Sequence, residues 1–211
     1  EFIDYAHEKL EKEGVYVAAD VFGAIIESGV DSDSVGQSYG DMANHLDYIC
    51  PMIYPSHYGD GNFGIAHPDM EPYNTILAAL KGSREVLESH KDEDGSQAKV
   101  RPWLQDFTAS YLNHYIHYGD EEIRQQIQAV YDAGYDEWML WSAACRYHWG
   151  GLKSAEEAKE AQDRESGVVV QDMTRTDGES PKEEDTQPGI PVGRLDGLGR
   201  QLFRRLDRAA A

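Results

Sequence analysis

Two cysteines in 211 residues, Cys50 and Cys145, are too few to staple a disulfide scaffold. The expectation is two buried free thiols, with a single bridge as the alternative. No apolar run approaches the roughly 20 residues that a membrane span requires. Basic residues are scarce, 19 Lys and Arg against 39 Asp and Glu, for a formal net charge of -20. Counterion release at a polyanion needs clustered Lys and Arg, which argues against a nucleic-acid partner. There is no G-x-S-x-G elbow, and Cys50 precedes a proline within an apolar run, the setting of an inert core thiol. No glycine-rich phosphate loop follows an apolar run either. Gly59-Asp60-Gly61-Asn62-Phe63-Gly64 stands in a long loop with no helix opening on it. The chain opens at Glu1 without an initiator Met or a visible signal peptide, so it carries no direct address, and the expectation is either that something upstream was removed or that the chain is a piece of a longer protein.

Aromatic residues are unevenly spread. Of 22 Phe, Trp and Tyr residues, 21 lie at or before Trp149 and only Phe203 follows. A split at Lys153 leaves a net charge of -16 on residues 1–153 and -4 on 154–211. The second segment, with Ser180-Pro181-Lys182-Glu183-Glu184-Asp185 at its middle, has too little apolar surface to offset its ordering entropy. Residues 160–193 therefore read as a disordered linker. Beyond it, Leu195, Leu198, Leu202 and Leu206 recur at helical spacing with Arg200, Arg204, Arg205 and Arg208 between them. This predicts a short amphipathic helix over 194–208, either transient on a free C-terminus or docked to a partner or membrane surface.

Four apolar runs in residues 1–153 read as buried parallel strands: Val15–Phe22, Tyr48–Tyr54, Val100–Phe107 and Glu137–Ala143. Helical patterns open the chain at Phe2, Tyr5, Ala6 and Leu10 and then separate the strands, at Val35–Leu46, Pro72–His90 and Asp120–Ala133. Pro72 suits a first turn, Asp120 an N-cap, and Gly134 a C-terminal stop. The alternation of helix and strand predicts an α/β fold with a parallel sheet, either an open doubly wound sheet or part of a (β/α)8 barrel. The barrel is favoured, because no phosphate loop is present and the functional-looking residues cluster where strands end.

The first strand ends on Asp20, a carboxylate inside an apolar run, which either caps a neighbouring loop or serves as a catalytic acid, base or nucleophile at the barrel mouth. The second ends on Tyr54, His57 and Tyr58. These offer flat apolar faces with polar edges, as sugar rings require, or else build a structural tyrosine corner. His114 and His117 form an H-x-x-H pair expected to pack or titrate rather than bind metal, since no further ligand stands at zinc spacing; no metal and no cofactor is expected. In the third strand, alternation puts Arg101, Trp103 and Gln105 on one side, the more polar and aromatic, which suits the barrel lumen. Asp106 falls at the loop boundary, where it turns inward or caps the next segment, and is the weaker catalytic candidate. Trp141 and Ser142 end the fourth strand and complete the aromatic lining.

Taken in order, VYVAADVFG, DYICPMIYPSHYG, VRPWLQDF and DAGYDEWMLW resemble the bacterial "putative glycosyl hydrolase domain" family over about residues 1–150. The resemblance implies a TIM barrel distantly similar to the α-amylase-like glycosidases and favours an extracytoplasmic or cell-envelope location. It also implies an N-terminal half-barrel, and a D-Y-x-R-F-P motif carrying a candidate nucleophile, that this chain does not contain. The residues present correspond to strands five to eight, only about the last four βα units. Asp20 matches the strand-five acid/base candidate, and Tyr54, His57, Tyr58, Trp103, Gln105 and Asp106 match positions that line the cleft. Ser142 departs from the Trp-Asn usual in the family.

The expected domains are therefore 1–153, the C-terminal half of a glycosidase-like barrel, and 154–211, an acidic and mostly disordered tail. The expected activity is polysaccharide hydrolysis by carboxylate acid/base catalysis, in a fragment inactive without its other half or a second copy. The alternative is a non-catalytic carbohydrate-binding or cell-envelope protein using the same aromatic cleft. A third reading is a degenerate product with no activity.

Overall fold

The computed structural model describes residues 2–91, 95–152, 154 and 157. The predicted linker and the helix over 194–208 lie outside the described residues. Among those described, no helix is long and apolar enough to cross a membrane.

The chain forms an α/β fold around a parallel sheet. Its elements are α1 (Phe2–Glu11), β1 (Ala18–Phe22), α2 (Gly29–Val35), α3 (Tyr39–Ala43), β2 (Tyr48–Met52), α4 (Pro72–Ser89), β3 (Lys99–Val100), β4 (Trp103–Gln105), α5 (Asp120–Asp132) and β5 (Met139–Trp141). Short 3-10 turns follow β1 and β2. The sheet order is β1-β2-β4-β5, with β3 also on β2, and every pairing is parallel. Register aligns Asp20 with Cys50, Met52 with Trp103, and Gln105 with Trp141.

All four predicted strands are present, shortened at their ends, and the third is interrupted. Pro102 has no N–H to donate to a ladder, so Val100–Phe107 splits into β3 and β4 around Arg101-Pro102. The Pro102 carbonyl still accepts from Met139 N–H at 2.8 Å, which keeps β5 in register. The predicted helix over 35–46 is also corrected. Gly36 takes the left-handed conformation (φ +67) and ends α2, and the chain restarts at Ser38 as the five-residue α3. Asp120 is the first residue of α5 rather than its cap. Gly119 holds the N-cap position, and its N–H donates to Glu122 Oε2 at 2.9 Å. At the other end Gly134 (φ +82) closes a Schellman turn, with Gly134 N–H donating to Tyr131 and Tyr135 N–H to Val130. The missing Cβ at Gly134 leaves room for the Arg84 guanidinium, which donates to the Ala133 carbonyl at the negative end of α5.

The core lies on one side of the sheet. Val21, Ile49, Val100, Leu104 and Leu140 point toward α4 and α5, whose Ile76, Leu80, Ile123 and Ile127 are fully buried against them. The opposite face carries a smaller cluster, Tyr48, Cys50 and Met139 with Trp103 packed on it. Here Ala18, Asp20, Phe22 and Trp141 are exposed, so β1 is half-exposed rather than buried as its apolar run predicts. Of the two free cysteines Cys50 is buried, but Cys145 is exposed, against the expectation of two buried thiols. It sits in a left-handed turn (φ +51) after β5, where its N–H donates to the Ser142 carbonyl.

A buried ion pair fixes the N-terminal end of this second face. Arg101 Nε donates to Glu137 Oε2 at 2.6 Å, both side chains are about nine-tenths buried, and the guanidinium stacks 3.9 Å from the centre of the Tyr48 ring. Removing one partner strands the other charge, so Arg101→Ala should destabilise the fold by about 3–5 kcal/mol in urea denaturation. Replacing both residues with apolar ones of similar volume should restore most of that loss.

Candidate active site

The exposed face of the sheet and the loops at its C-terminal end bring most of the predicted site residues together. Asp20 stands on this face, exposed, and its Oδ1 accepts a hydrogen bond from Trp103 Nε1 at 2.8 Å. Trp103 meets Trp141 edge-on at 5.9 Å, so the two indoles form a wall beside the carboxylate. Tyr54 packs edge-on against His57 (5.0 Å) and Phe107 (5.8 Å). Burial, and then the nearby Asp20 charge, push the Tyr54 hydroxyl well above the ordinary tyrosine range, so it stays a neutral hydrogen-bonding group. The His57 ring is open to solvent on one side, while desolvation by its packed neighbours holds its pKa below the usual histidine value.

A cavity of about 380 Å³ opens beyond Phe22 and Met52, lined also by Gly23, Ser56, His57, Tyr58 and Tyr111. Gly23 is required there, because a Cβ would lie 2.5 Å from the Met52 carbonyl oxygen and 2.7 Å from the Tyr58 hydroxyl. The hydroxyls of Ser56 and Tyr58 are both shielded from solvent without a hydrogen-bond partner. Tyr58 itself is buried, packed on Phe63 at 4.9 Å, and burial raises its pKa.

Two predicted residues lie below the open face. Gln105 is fully buried and its amide is committed: Oε1 accepts from Ser56 N–H at 3.0 Å, and Nε2 donates to Asp69 Oδ1 at 2.9 Å and to the Phe107 carbonyl at 3.1 Å. Its backbone is held in turn by the Gln126 side chain, which accepts from Gln105 N–H (2.9 Å) and donates to its carbonyl (2.8 Å). Asp106 is also buried, and both its oxygens hold His148, one accepting from the backbone N–H at 3.0 Å and the other 2.6 Å from Nδ1.

Sequence reading missed three groups here. Asp69 is buried at the centre of the loops, where desolvation raises its pKa despite the hydrogen bonds from Gln105 and Ile116 N–H. His148 is positioned by Asp106 from a segment beyond the last strand. Asp60, His67 and His114 converge within 4.8 Å of one another, where only the H-x-x-H spacing of His114 and His117 had been visible. No local signal marks these groups, because their partners are brought together across loops.

Residues 1–147 match the family model described as a putative glycosyl hydrolase domain. The chain belongs to that family. No curated protein matches the chain closely enough to count as a relative. The glycosyl hydrolase domain match ends one residue short of His148, so it spans all the predicted site residues and every strand among the described residues. Within this domain the lowered pKa of His57 is directly measurable. Its imidazole should titrate below the ordinary value of about 6.5 in an NMR pH series. Tyr54→Ala, which strips a packed ring from it, should move the midpoint back up.

Proposed function

We propose that this chain supplies one side of the catalytic cleft of a glycoside hydrolase, with Asp20 as an acid/base carboxylate. The observation that carries the reading is Asp20 itself, an exposed carboxylate on the open sheet face, oriented by Trp103 and set against the Trp103–Trp141 wall. Indole faces match the apolar faces of sugar rings, and a carboxylate beside them is the group that protonates or deprotonates a glycosidic oxygen. Tyr54, His57 and Trp141 contact substrate in this reading, and the cavity between Phe22 and Tyr111 takes an adjoining sugar. Gln105 and Asp106 act beneath the surface, Gln105 by holding the Ser56 turn and Asp106 by orienting His148.

Glycoside hydrolysis needs two carboxylates, about 5–5.5 Å apart for retention and about 6.5–9.5 Å for inversion. Asp20 is one. The second is contributed by the remainder of a (β/α)8 barrel, whether further chain or a second copy. Two facts support closure. The outer edges of β1 and β5 have no paired strand among the described residues, and the face between them exposes Phe22 and Trp141. Open parallel edges with an uncovered face are aggregation-prone, and such sheets are ordinarily covered on both sides. The substrate class is a neutral or cationic polysaccharide, given the net charge of -20. The Trp103–Trp141 wall by itself would serve one rival reading, a non-catalytic sugar-binding surface.

Asp20→Asn in a closed-barrel member of the family should remove hydrolysis of its polysaccharide, a loss of about 100- to 10,000-fold, and leave sugar binding in place. Retained turnover would reject Asp20, and binding without product release from the unmutated protein would favour the rival. The chain alone should associate or aggregate in size-exclusion chromatography with light scattering. A compact, soluble monomer would overturn barrel closure.

A further inference from the structure

We propose that Asp60, His67 and His114 form a binding site for one zinc-type divalent ion, which pins the loop after β4 onto the loop after β2. Two imidazoles and one carboxylate are the donor set that borderline ions such as Zn²⁺ prefer, with a fourth position left for water or a ligand. The three side chains come from separate stretches: Asp60 from the turn after Tyr58, His67 from the residue preceding Pro68, and His114 from the loop between β4 and α5.

Their geometry suits coordination. The Asp60 carboxylate spans the Nδ1 edges of the two rings, with Oδ1 at 3.2 Å from His67 Nδ1 and Oδ2 at 3.0 Å from His114 Nδ1. A tetrahedral ion about 2.1 Å from each donor needs donors roughly 3.4 Å apart, so small side-chain rotations bring all three onto one ion. The two imidazoles lie nearly face to face, their centres 3.8 Å apart and their planes 31° from parallel. Protonating both rings would set two positive charges against each other, whereas neutral rings can share a single dication.

A second observation points the same way. His67 Nδ1 is shielded from solvent and has no hydrogen-bond partner, because its approach to Asp60 lacks the alignment of a hydrogen bond. A shielded ring nitrogen with no hydrogen bond, beside a carboxylate and a second imidazole, is an arrangement that a bound cation completes. The other histidine–carboxylate pairs among the described residues, His7 with Asp47, His45 with Asp4 and His148 with Asp106, each involve one ring only. Among the described residues only Asp60, His67 and His114 gather three such donors. A cavity of about 210 Å³ adjoins the cluster, lined by Asp60, Asp69, Leu112 and His114, and gives the open coordination position somewhere to point. Tyr58 lines both this cavity and the larger one described above, so the ion would brace the wall between them.

The site forms without redox chemistry, each imidazole giving its lone pair and Asp60 its ionised carboxylate. The test is calorimetric titration of the full chain with Zn²⁺ alone, together with metal analysis after gel filtration. The expected result is one ion per chain. His67→Gln/His114→Gln should weaken binding by more than about 100-fold with circular dichroism unchanged, while His117→Gln leaves it as it was. Zn²⁺ should also raise the Tm of the unmutated chain and not that of the double variant. A double variant that binds like the unmutated chain, or an unmutated chain with no saturable site, would overturn the proposal.

Discussion

Everything at the C-terminal end of the sheet hangs on the amide of Gln105. A primary amide can accept and donate at once, and in a dry interior each of its bonds is strong because water cannot compete. Here the oxygen fixes the backbone of the Ser56 turn and the nitrogen fixes the buried Asp69 carboxylate, while Gln126 of α5 clamps the Gln105 backbone from the other side. Asp69 then passes the connection outward, accepting from Ile116 N–H and, at its carbonyl, from the Tyr118 hydroxyl. One strand residue thus sets the position of the loop after β2 relative to the loop after β4. The aromatic face above inherits its shape from a group buried beneath it.

The same logic explains why the two faces of the sheet differ. On the helix side the buried side chains are mostly apolar, and hydrophobic area supplies the stability. On the other side polar groups are paired in sequence along the strands, from the Arg101–Glu137 pair at one end to Asp20 with Trp103 at the middle and Asp106 with His148 at the rim. A face whose polar groups are held by hydrogen-bonded partners gives up hydrophobic stabilisation and gains fixed orientation for its side chains.

Much of the scaffold was legible in the sequence because periodicity is a local property. The four apolar runs, the long helices at 72–89 and 120–132 and their parallel order all follow from spacing and punctuation, and the motif order pointed to the family. The errors were local conflicts that spacing does not reveal. Pro102 inside a strand and Gly36 inside a helix each overrode the pattern around them. Site residues were harder to read. Alternation placed Trp103 and Gln105 on one face correctly but could not show that loops bury the latter and leave the former half-open. Asp60, His67 and Asp69 lay in what read as punctuation, since a loop residue acquires meaning only from the segment folded against it.

The two thiols are an unequal pair. Burial, reinforced by the Asp20 charge, pushes the Cys50 thiol up to about 12, so it stays protonated and unreactive at neutral pH. Cys145 is solvent-exposed in the turn that links Trp141 to His148. The molecule therefore carries a natural single attachment point on the rim of its aromatic face. A maleimide dye placed there, without any engineered substitution, would sit close enough to the two indoles for its emission to report on whatever comes to occupy the space beside them.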